Sequence, residues 1–108
     1  MIVLLSGVEE EKVQVNGISD HSGKLITINQ QPVMDCALDI LTKLVQHKTV
    51  TLRARGDSIP VAVAVANVLV ENMLRGNSVI RDIVVDSESQ GNNGPLVSII
   101  EITITKTN

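Results

Sequence analysis

Apolar and polar residues alternate along this chain with two different periods, and the switches between them mark its elements. "LITIN" (Leu25–Asn29) has the period of two expected of a strand. Pro32 then predicts a loop or a first helical turn, where its missing N–H is harmless. Beyond it Val33, Ala37, Ile40, Leu41, Leu44 and Val45 recur at helical spacing, so a helix is predicted to about His47. Asp35 and Asp39 come early in it and Lys43, His47 and Lys48 late, as the helix macrodipole favours. "TVTLRA" (Thr49–Ala54) alternates and is β-branched, which predicts a second strand. In "SIPVAVAVANVLVENML" the alternation of Val and Ala imitates a strand, but the length of the run favours a helix. Asp57 or Ser58 would cap it, Pro60 would fall in its first turn, and Gly76-Asn77 would end it. "VIRDIVVDS" (Val79–Ser87) and "LVSIIEITIT" (Leu96–Thr105) predict two more strands, joined by the polar, Gly-rich loop "ESQGNNGP".

The order β-α-β-α-β-β predicts an α+β fold, a two-layer sandwich of a mixed four-stranded sheet with two helices on one face. Two crossover helices call for parallel neighbours, and the last two strands for an antiparallel hairpin. Residues 1–24 stand apart as an N-terminal appendage before a domain at 25–108. Its "IVLL" and "KVQV" pieces are short and strand-like, with Gly7 and Gly17 as turn signals.

Composition narrows the functional classes. A chain of 108 residues is expected to form one domain and to bury a core without cross-links. No apolar run approaches the roughly 18 residues of a membrane span, and the N-terminus lacks a basic, signal-like region. With the single Cys36, this makes a reducing cytoplasm the expected compartment. The chain has no Phe, Trp or Tyr, so bases cannot stack on protein rings and interfaces must be aliphatic. Net charge is −3, whereas strong nucleic-acid binders are basic because counterion release drives them. Residues 1–24 hold four acids against Lys12 and Lys24, and the rest holds eight acids against seven bases, so removing the appendage does not make the remainder basic.

No catalytic constellation stands out, and no enzyme activity, cofactor, metal or small-molecule substrate is expected. His21 and His47 are isolated, and Cys36 lies among apolar helix positions, where a small core residue is the simplest reading. The triplet Arg55-Gly56-Asp57 resembles an adhesion tag, but it spans a strand end and a helix start, where Gly and a capping Asp have a structural reason to be.

Three blocks, "QPVMDCALDIL", "LRARGDSI" and "VSIIEITITK", resemble in order and spacing the signatures of the Alba family of archaeal chromatin and RNA-binding proteins. The resemblance covers about residues 25–107. It implies the fold of the C-terminal domain of bacterial initiation factor three, a homodimer or a heterodimer with an Alba paralogue, a nucleoid-associated location, and hairpin arms along the minor groove. Position by position, it makes this a divergent, acidic member. The paired lysines before "PVM" fall on Gln30 and Gln31, which can donate hydrogen bonds to phosphate but release no counterion. Arg53 and Arg55 match the basic positions of "KARG", and two residues apart on a strand they share a face. The next base becomes Asp57, and the arm carries Glu88 and no base, with Asn92 and Asn93 as its tip. Lys24, Gln30, Gln31, Arg53, Arg55, Asn92 and Asn93 are therefore the expected DNA or RNA contacts, weak and salt-sensitive. Arg53 and Arg55 have a second reading, as members of a solvated strand face or of ion pairs with Asp57 and Glu88.

Pro60–Val70 carries no charge, so its helix is expected to be covered on both sides, by the sheet on one and by the appendage, a dimer mate or further subunits on the other. Val63, Asn67, Val70 and Met73 are the expected oligomer contacts; Met73 matches a family position between dimers. The alternative function is an Alba-fold interaction protein, partner of a basic paralogue, with little nucleic-acid binding of its own.

Overall fold

The computed structural model describes residues 23–89, 91 and 94–108. The "IVLL" and "KVQV" pieces and the arm-tip residues Asn92 and Asn93 lie outside the described residues. The elements are β1 (Lys24–Thr27), α1 (Val33–His47), β2 (Thr49–Arg55), a 3-10 turn (Gly56–Ser58), α2 (Ile59–Val68) continuing as a π turn (Leu69–Met73), β3 (Ser78–Ser89) and β4 (Leu96–Lys106). The fold is α+β: a mixed four-stranded sheet with both helices on one face.

Strand order is β1-β2-β4-β3. β1 and β2 run parallel across the α1 crossover, as expected. The second crossover does not join neighbours. β4 inserts between β2 and β3 and is antiparallel to both. The correction is physical: the long hairpin lets β4 fold back beside β3 and meet β2 with its other edge, so α2 spans two strand positions rather than one.

The helix periodicity of α1 buries Cys36, Ala37, Ile40 and Leu44 against the sheet. α2 buries Ala62, Val65 and Ala66, and Leu69 continues that face into the π turn. From the sheet, Val50, Leu52 and Ala54 of β2 and Ile102 and Ile104 of β4 complete the core. Each large aliphatic so buried contributes about 1.5–3 kcal/mol. α1 stops at Lys48, whose φ is 70° while its N–H bonds the Leu44 carbonyl at 2.8 Å. Gly76, with φ 80°, follows the π turn, where a left-handed residue is needed to leave the helix.

Pro60, Val63 and Asn67 are exposed, so among the described residues the apolar helix α2 is covered on one side only.

Candidate nucleic-acid interface

β2 sorts its side chains by strict alternation. Val50, Leu52 and Ala54 enter the core, which leaves Thr49, Thr51, Arg53 and Arg55 on the sheet face opposite the helices. Their β4 partners on that face are Thr105, Thr103, Glu101 and Ile99. The result is a polar ladder. Thr49 and Thr105 hydroxyls lie 3.2 Å apart, Thr51 and Thr103 hydroxyls 2.9 Å, and Arg53 Nη1 donates to Glu101 Oε2 at 2.8 Å. Arg55 reaches past β4 to β3, where its Nη2 meets Glu88 Oε1 at 2.8 Å.

Both arginines therefore share the face that alternation assigns them, and both are paired. Glu88 was expected in the loop and as a partner; it lies near the end of β3 and holds Arg55. Glu101, and not Asp57, holds Arg53. Register places Glu101 directly opposite Arg53, a pairing that only a defined β2–β4 alignment reveals. Arg53 and Glu101 also line a shallow cavity of about 130 Å³ with Val84, Asp86 and Ile99.

The turn after β2 brings the β1–α1 loop to the same end of the sheet. Gly56 has φ 56°, which lets the chain turn sharply from Arg55 into the 3-10 turn. Gln30 Nε2 donates to the Asp57 carbonyl at 3.4 Å, and Ile28 N–H to the Arg53 carbonyl at 2.8 Å. Gln31 Oε1 accepts from Asn29 N–H at 3.2 Å. Gln30 and Gln31 thus adjoin the end of the arginine strand. Lys24 does not. It is in register with Val50, on the alternate set of β1 positions and about 10 Å further back along the strands than Arg53.

The residues expected at oligomer contacts divide. Val63 and Asn67 are exposed, whereas Val70 and Met73 are half-buried and pack against the core. A larger apolar surface lies on the hairpin. Ile83 and Val85 are in register with core residues Ile102 and Ile100, yet are exposed, as is Leu96 at 71%. The alternation of β3 was readable in the sequence; that no helix among the described residues lies above this part of the hairpin was not.

Cys36 is buried, and burial first, then the Asp39 charge, pushes its thiol pKa up. This favours the inert thiol form over a nucleophile. No helix among the described residues is long and apolar enough to cross a membrane.

Among known proteins, the family model named Alba matches residues 24–87. No curated protein matches the chain. Among solved structures, the chain is similar to Alba from Thermoplasma volcanium, at 29% identity and a TM-score of 0.65, covering 76% of this chain and 99% of that one. Nearly all of that protein is therefore matched, and about a quarter of the present chain has no counterpart in it.

Proposed function

The chain belongs to the Alba family of nucleic-acid-binding proteins, and from that premise we propose that it acts as a dimeric, cytoplasmic or nucleoid-associated binder of DNA or RNA with weak, salt-sensitive phosphate contacts. The observation that carries the weakness is the pairing of both strand arginines, Arg53 with Glu101 and Arg55 with Glu88. Gln30 and Gln31 add neutral hydrogen-bond donors beside them. With Arg53 and Arg55 from each subunit, the slope of log affinity against log salt would reach about −4 at most. Salt titration of binding to duplex DNA and to duplex RNA tests this. The double variant R53A/R55A is expected to flatten the slope by about 2 per subunit; a slope unchanged from wild type refutes the assignment.

A second reading is favoured by the hairpin. Its β3 strand bears Asp82 and Asp86 on the sheet face opposite the helices and exposed Ile83 and Val85 on the other face, acidic and apolar surfaces suited to a basic protein partner more than to phosphate. On this reading the chain is the acidic partner of a basic Alba paralogue. It is distinguished by a stable complex with such a paralogue and no binding to either duplex alone at physiological salt.

A further inference from the structure

We propose that Glu88 and Glu101 act as built-in competitors for phosphate at Arg55 and Arg53, and so set how tightly this protein holds nucleic acid. The inference rests on the reading of those arginines as phosphate contacts. Each pair closes at 2.8 Å, so each guanidinium already donates a charge-assisted bond to an anionic oxygen. A phosphate needs the same donors. Binding is therefore an exchange of one anion for another, and the displaced carboxylate is left facing a polyanion.

The two pairs are not equivalent. Arg53 and Glu101 are direct cross-strand neighbours. Arg55 is in register with Ile99 on β4, and Glu88 with Val97 on the other edge of the same strand. The Arg55–Glu88 bridge thus runs across β4 and ties the hairpin strand β3 to β2. Ile99, on the same face, is only 6% exposed although no helix among the described residues covers that side. Releasing Arg55 for phosphate therefore also unties β3 from β2, which couples the position of the hairpin to what Arg55 holds. In each threonine pair beside them one hydroxyl donates to the other, which leaves one neutral O–H per pair and no charged donor to replace a guanidinium.

The test uses the full chain and a labelled mixed-sequence duplex, as DNA and as RNA, across a salt series. E88Q and E101Q remove the competing charges while keeping side-chain size. Each is expected to tighten binding by up to about fivefold at low salt, the double variant more, with a steeper salt slope. E71Q, which removes an exposed charge from the helix layer, is the control for net charge and is expected to change little. In an R53A/R55A background the gain should vanish. An equal gain from E71Q, or a gain that survives without the arginines, overturns the proposal. If R53A/R55A loses binding but E88Q/E101Q gains none, competition falls while the phosphate contacts stand. If R53A/R55A binds as wild type does, both fall.

Discussion

Arg53 and Arg55 show how little a residue's identity says about its availability. Two positions apart on a strand, they had to share a face, and they do. Their charge is met by acids 48 residues away for Arg53 and, for Arg55, on a strand that is not even adjacent. Cys36 makes a complementary point. Its thiol is pushed up by burial, so the folded state holds the proton more tightly than the unfolded chain does. That stability is fully present below the ordinary thiol range near pH 8.5 and is lost as pH rises through the raised value. The melting temperature of wild type is expected to fall more steeply above about pH 9 than that of Cys36→Ala, measured by circular dichroism. Parallel curves would remove the thiol from the account.

At the scale of elements, two junctions depend on backbone geometry. Lys48 ends α1 with φ 70°, a region that L-residues avoid. Lys48→Gly is expected to stabilise the fold by up to about 1 kcal/mol in denaturant unfolding, because glycine enters that region without a Cβ penalty. Gly56 is the reverse case. Its φ is 56°, and an added Cβ would meet only Val97 at an ordinary 3.7 Å, so the strain would lie in the backbone alone. Gly56→Ala should cost about 1–2 kcal/mol. Opposite signs for these two substitutions would show that the turns, and not local packing, set the element boundaries.

For the whole molecule, the distribution of apolar surface matters more than its amount. The core is closed between the helices and the near part of the sheet, while the hairpin carries Ile83, Val85 and Leu96 beyond that cover. Such a surface is expected to be buried in a dimer. Val85→Asp should shift the mass by sedimentation from dimer towards monomer, with little effect on monomer stability because Val85 is 71% exposed. Val63→Asp on α2 distinguishes a hairpin interface, which it would spare, from one built on the outer helix face. A wild type that sediments as a monomer would remove the dimer from the proposed function.

The chain's own pattern determined the elements, because periods of 2 and 3.6 are local consequences of backbone geometry. It determined the α+β class, the face shared by the two arginines, and the burial of Cys36, and its three signature blocks pointed to the family. Strand order was beyond it: both crossovers looked alike in sequence, and only the packing of the hairpin shows β4 entering between β2 and β3. The same holds for the partners of Arg53 and Arg55. Ion pairs form between residues that topology brings together, and the topology here was decided by how a long hairpin folds against a sheet whose helices cover only part of it.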